Sequence, residues 1–249
     1  MHCEYFAPVG TGEHPGVVVL HILGGDFELS RMMCRSLAVS GTGALFVKMP
    51  YYGPRRVDNP RRRMISSNQA HSLEGMTQAV LDIRRAATWL SNREEIDGDR
   101  LGITGVSLGG IVAALSAAVD PRFERTCLIL SGGDLGKIIL ESRQFEKHRR
   151  LWPGPPLKLE QIREIMGPVD PLTYADRLKG RAVLMMNGRK DRVIPPACTE
   201  ALWEKAGKPE IVWWDEDHYS AIKRLPIGVF RMAKFFRETD TRKRAVAAH

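Results

Sequence analysis

The sequence predicts an α/β fold, a mostly parallel sheet of about six to seven strands flanked by helices. Short β-rich apolar runs bounded by Gly, Asn or Asp alternate with longer amphipathic stretches along nearly the whole chain. Most of these runs are continuously apolar rather than alternating, as strands covered on both faces must be. The composition agrees: 249 residues with 43% hydrophobic and 27% charged side chains supply a sizeable core and exclude disorder, collagen and coiled coil.

In chain order, strands are expected at Val17 to Ile22, Ala44 to Val47, Leu101 to Thr104, Thr126 to Leu130, Ala182 to Met186 and Glu210 to Trp214, with Tyr5 to Ala7 available as a further edge. The clearest helix is at Leu73 to Asn92, where Leu73, Met76, Val80, Ile83, Ala87 and Leu90 recur at helical spacing on one side. Further helices are read at Leu29 to Ser40, Leu108 to Val119, Pro196 to Ala206 and Ala221 to Arg237, and Asp97-Gly98 reads as a turn into the third strand. Two connections exceed ordinary loop length. The first, Met49 to Ser72, carries Tyr51, Tyr52 and five arginines (Arg55, Arg56, Arg61, Arg62, Arg63). The second, Gly132 to Leu178, holds helical pieces at Lys137 to Arg150 and Leu159 to Met166 around Trp152-Pro153-Gly154-Pro155-Pro156. The expected organisation is one domain over residues 1–249, with a cap insertion at about 134–172 and a basic tail at 239–249.

Several function classes lose support at this level. Cys3, Cys34, Cys127 and Cys198 are far apart, with no C-x-x-C pair and no His-rich neighbourhood, so neither a metal nor a redox site is expected. No apolar run reaches the length of a membrane span, and the start lacks the basic and apolar regions of a signal peptide, so a cytoplasmic chain is expected. The net charge of +8 is the one unusual feature of the composition. It gathers in no aromatic-interleaved basic motif, and no nucleic-acid partner is expected.

Gly105-Val106-Ser107-Leu108-Gly109 is a G-x-S-x-G placed directly after a β-run and directly before a helix of small and apolar residues. That strand, sharp turn and helix lift a serine hydroxyl into the open. Such a serine needs a base, normally a histidine oriented by a carboxylate. His218 follows the last strand, and Asp191 follows the one before it. In a parallel sheet these loops emerge at one edge, where ligands bind. Ser107, Asp191 and His218 are therefore the candidate catalytic residues. The helix N-terminus offers the backbone N–H of Leu108 to a developing negative oxygen, and the Gly-rich loop His21-Ile22-Leu23-Gly24-Gly25 offers that of Leu23. Asp134, just past the fourth strand, is the alternative acid. His21 is expected to brace its loop. Tyr51, Tyr52 and Arg55 are the candidate substrate contacts, since an arginine cluster can attract an acidic acyl group. Gly132-Gly133-Asp134-Leu135-Gly136-Lys137-Ile138 fails as a phosphate loop, because its first glycine is one residue too close and Ile138 stands where Ser or Thr would hold magnesium.

The span from about Gly16 to Phe236, carried by these motifs in the order Ser, Asp, His, resembles the α/β-hydrolase superfamily, most nearly its compact dienelactone-hydrolase-like and serine esterase branch. The resemblance implies Ser107 as nucleophile, His218 as general base, Asp191 as orienting acid and an oxyanion hole after the first strand. The family usually reads His-Gly where this chain has His21-Ile22. The expected activity is hydrolysis of a small-molecule carboxylic ester through an acyl-enzyme, with no cofactor. A serine peptidase or thioesterase would use the same residues, and a non-catalytic scaffold would keep the same fold.

Overall fold

In the computed structural model, residues 1–25, 27–59, 62–66, 68–146 and 158–238 are described. Seven strands form one sheet in the order β1-β3-β2-β4-β5-β6-β7. They are β1 (His2–Phe6), β2 (His14–Leu20), β3 (Gly43–Lys48), β4 (Ile96–Val106), β5 (Phe123–Ile129), β6 (Ala182–Gly188) and β7 (Glu210–Trp214). Only β1 runs antiparallel, pairing with β3 from His2 opposite Lys48 to Phe6 opposite Ala44. The expected edge near Tyr5 thus lies a few residues earlier and completes the seventh strand.

The continuous apolar runs are explained by two cores, one on each face. In β2, Val17 and Val19 belong to one cluster and Val18 and Leu20 to the other, and all four are fully buried. Helices α1 (Phe27–Val39) and α8 (Leu225–Arg237) cover the first face, with Met33, Leu37, Met232 and Phe236 packed in it. Helices α2 (Gln69–Ser91), α3 (Leu108–Val119) and α7 (Pro196–Lys205) cover the second. Helix α2 starts earlier than its apolar stripe implies, because the Asn68 side chain accepts the N–H groups of Ala70 and His71 and caps it.

Two local expectations are corrected. Asp97-Gly98 is not a turn before a strand but an irregularity inside β4, where the pairing with β2 shifts between His14 and Gly16 and Asp97 Oδ1 accepts the N–H of Asp99. The helix expected from Lys137 to Arg150 is interrupted: α4 (Leu135–Glu141) stops at Ser142, whose extended backbone breaks it and whose hydroxyl accepts the N–H of Gln144 to start a 3₁₀ turn at Arg143–Phe145, while residues 147–150 lie outside the described residues. The segment around Trp152 and Pro155 lies outside the described residues. Past it come α5 (Leu159–Met166) and α6 (Pro171–Tyr174).

This insertion is pinned to the sheet edge at its root. The Asp134 carboxylate takes two bonds from the Arg163 guanidinium, Nε at 3.0 Å and Nη2 at 2.5 Å, tying α4 to α5. Buried Asp170 accepts the N–H groups of Asp134, Leu135 and Leu172, and burial holds its carboxyl above the usual range. Among the described residues, no helix is long and apolar enough to cross a membrane.

Candidate active site

Ser107 sits between β4 and α3 with φ 55° and ψ −117°, a conformation most side chains avoid. The turn is tight enough to forbid a Cβ two residues to either side. At Gly105 a Cβ would lie 2.4 Å from the Gly109 carbonyl carbon, and at Gly109 one would lie 2.7 Å from the carbonyl oxygens of Leu20 and His21. The spacing of the motif is therefore dictated by the contact of α3 with β4 and β2.

The loops after β6 and β7 are laced together by backbone bonds, Arg189 N–H to Trp214 O at 2.8 Å and Lys190 N–H to Glu216 O at 3.1 Å. This lacing brings Asp191 beside His218. His218 Nδ1 lies 2.7 Å from Asp191 Oδ2, and His218 Nε2 lies 3.0 Å from Ser107 Oγ. In the tautomer these contacts require, the imidazole donates to the carboxylate and accepts from the hydroxyl. The other oxygen of Asp191 accepts the N–H groups of Val193 at 2.7 Å and Ile194 at 2.8 Å, which fixes the carboxylate in plane. Asp134, by contrast, is committed to Arg163 and to the N–H of Lys137 at the start of α4.

The loop after β2 is braced from within. Buried His21 donates from Nδ1 to Ile22 O at 2.8 Å, and its Nε2 accepts the N–H of Met49 at 3.0 Å. Burial lowers its pKa to about 4, so the ring is neutral at physiological pH. The ring of Tyr52 meets that of His21 edge-on at 4.7 Å, and its hydroxyl, pushed up to about 12 by burial, accepts the N–H of Gly24.

Ser107, Leu108 and Leu23 line one cavity of about 700 Å³. Leu108 holds the first helical position of α3, where a backbone N–H has no acceptor in its own helix. The cavity wall is apolar where α2, α3 and the insertion contribute Met76, Ile111, Ile138, Phe145 and Met166. It is polar where the loop after β3 contributes Tyr51, Tyr52, Arg56, Arg62 and Arg63. Arg62 is paired with Glu74 and lies over the Tyr51 ring at 5.6 Å.

Arg55 is a correction: it does not line the cavity. Its Nη1 donates to Lys48 O at 2.9 Å, and its Nη2 lies 2.6 Å from Oδ2 of buried Asp82 on α2. Because Asp82 is buried, the nearest cation is drawn inward to neutralise it. Arg55 thus anchors the loop whose later arginines reach the cavity.

Sequence reasoning passed over the amides of Val193 and Ile194, although an Asp whose bonds go to the N–H groups two and three residues on is a recurrent local pattern. It also passed over Gln144 and Phe145 in the cavity wall, for which no periodicity gives a signal. Among the described residues, no three His, Cys, Asp or Glu side chains gather as a metal site would require.

Comparison with known proteins adds a second line of observation. A model of the dienelactone hydrolase family matches residues 4–221. An uncharacterized protein of Mycobacterium tuberculosis is 28% identical over 200 residues, 78% of this chain and 46% of that protein. An uncharacterized Escherichia coli protein is 26% identical over 142 residues, 57% of this chain and 46% of that protein. The chain therefore spans about half the length of the curated relatives it matches. Among solved structures, acetyl xylan esterase 1 from a Thermoanaerobacterium species superposes with a TM-score of 0.72 at 21% identity, over 93% of this chain and 78% of that one. A putative dienelactone hydrolase from Klebsiella pneumoniae gives 0.65 at 22% identity, over 95% and 92%. These likenesses establish the α/β-hydrolase fold.

Proposed function

Because the chain belongs to the dienelactone hydrolase family, we propose that it is a serine hydrolase of carboxylic esters acting through a Ser107–His218–Asp191 triad. The observation that carries this reading is the unbroken series of contacts from Ser107 Oγ through both ring nitrogens of His218 to Asp191 Oδ2.

In the proposed reaction His218 Nε2 takes the Ser107 proton as Oγ forms a bond to the ester carbonyl carbon. The negative oxygen that develops is met by the backbone N–H groups of Leu108 and Leu23. The imidazolium, held by Asp191 at Nδ1, returns its proton to the leaving alcohol as the C–O bond breaks. Water then repeats the cycle on the acyl-enzyme, releasing the acid and restoring Ser107. A single domain with a cap at about 134–172 is part of this reading, since Ile138, Phe145 and Met166 of the insertion line the cavity. The apolar wall suits a hydrocarbon acyl or alcohol group, and Arg56, Arg62 and Arg63 suit an anionic substituent on it. The likeness to solved structures of acetyl xylan esterases favours an ester over an amide.

The test is Ser107→Ala assayed on a panel of short aryl esters, together with fluorophosphonate labelling. The variant should lose hydrolysis by a factor on the order of 10⁴ and should no longer be labelled. Retained turnover or labelling at another residue refutes the assignment. For anionic esters kcat/KM should fall with added salt; flat salt dependence removes the arginines from substrate selection.

A further inference from the structure

The 3₁₀ turn Ser220–Arg224 and helix α8, which follow the candidate catalytic histidine, carry a surface the proposed reaction does not use. Ile222 is 66% exposed, Ile227 64% and Phe230 71%, although large apolar side chains elsewhere in the fold are mostly packed. Ile227 and Phe230 are three residues apart on α8 and share its outer side, opposite the packed face of Val229, Met232, Ala233 and Phe236. From Tyr219 to Arg237 the sequence holds five basic residues (Lys223, Arg224, Arg231, Lys234, Arg237) and no acidic one. Arg224 pairs with Glu216 and Arg231 with Glu210. Lys223, Lys234 and Arg237 make no ion pair among the described residues.

We propose that this face docks the protein on an anionic lipid surface, with Ile222, Ile227 and Phe230 entering the headgroup boundary and the lysines and arginine around them meeting the lipid phosphates. An amphipathic helix with bulky apolar residues beside unpaired cations has the composition of an interfacial anchor. A second copy of this chain is a poorer occupant, because a two-fold contact would set the same cations against each other. A nucleic acid would satisfy the cations but leave isoleucine and phenylalanine against phosphate. The segment starts at the cavity rim: exposed Tyr219 donates from its hydroxyl to Gln144, which lines the cavity, and its ring meets that of His218 edge-on. A docked protein would therefore hold its candidate site next to the bilayer.

The experiment is co-sedimentation of the full chain with vesicles of phosphatidylcholine alone and of phosphatidylcholine with phosphatidylglycerol, alongside sedimentation velocity without lipid. Binding is expected to the phosphatidylglycerol vesicles and not to the neutral ones. The double variant I227S/F230S keeps its charge and should bind at least about tenfold more weakly. The variant K223E/K234E, which changes only exposed side chains, should also weaken binding and leave the remainder less salt-sensitive. Equal binding by I227S/F230S and wild type would reduce the attraction to net charge and overturn the proposal. So would absence of binding to either vesicle, or a dimer that the same double variant dissolves. Fluorophosphonate labelling of each variant in lipid-free solution reports the candidate site separately, so either idea can fail without the other.

Discussion

His21 Nε2 accepts the backbone N–H of Met49 across 3.0 Å, which joins the loop leaving β2 to the end of β3 through a neutral imidazole. Protonation would put a donor where the N–H of Met49 already points. The pKa is about 4 in the folded chain against 6.5 ordinarily. Between these values the unfolded chain holds a proton that the folded chain does not. Stability is therefore complete above pH 6.5 and is lost progressively as pH falls toward 4, by an amount on the order of 3 kcal/mol. Urea unfolding at pH 7 and pH 4.5 measures it. His21→Gln, which keeps an acceptor but does not titrate, should show a clearly smaller drop than wild type; an equal drop rules out His21 as its source.

Asp191 is held by two amides as well as by His218, so Asp191→Asn should fold with the loop in place while its amide favours the wrong imidazole tautomer. We expect kcat for an aryl ester to fall on the order of 10³ to 10⁴ with little change in melting temperature. Asp134→Asn loosens the pairing with Arg163 and should spare the chemistry by comparison. A larger loss of kcat for the Asp134 variant would exchange the two roles.

The two adjacent arginines Arg55 and Arg56 should separate under mutation. Arg55→Met strips the main cation from buried Asp82 and should cost about 3 kcal/mol in urea unfolding. Arg56→Ala, on an exposed cavity wall, should change stability by less than about 0.5 kcal/mol and raise KM for an anionic ester more than for a neutral one. Comparable destabilisation by both would contradict the placement of Arg55.

Gly109→Ala offers a test of the turn itself. Its Cβ would meet the carbonyl oxygens of Leu20 and His21, which belong to backbone and cannot swing aside. Overpacking of this kind costs about 1–3 kcal/mol, so the melting temperature should drop by several degrees, with loss of fluorophosphonate labelling as Ser107 is displaced. An unaltered melting curve would show that α3 can move away from β2.

Much of this architecture was legible in the residues because the strands are buried on both faces. A run such as Val17 to Leu20 has no competing reading once both sides must be apolar. The convergence of Ser107, Asp191 and His218 was legible because each lies in the turn or loop that follows a strand, and parallel strands deliver their following loops to one edge. The tertiary context of single polar groups was not legible. Nothing local separates Arg55 from Arg56, and only the position of Asp82 on α2 decides which turns inward. The irregularity at Asp97-Gly98 reads as a turn because Asp-Gly usually is one, and the neighbouring strand β2 carries the pairing past it.

Ser107 occupies a backbone conformation that glycine would accept with less strain. The most comfortable residue for the fold at this point is thus the one that would lack a hydroxyl. The strain at this turn is borne by the one side chain whose hydroxyl the proposed reaction needs, and Ser107→Gly would relieve it only by removing that group.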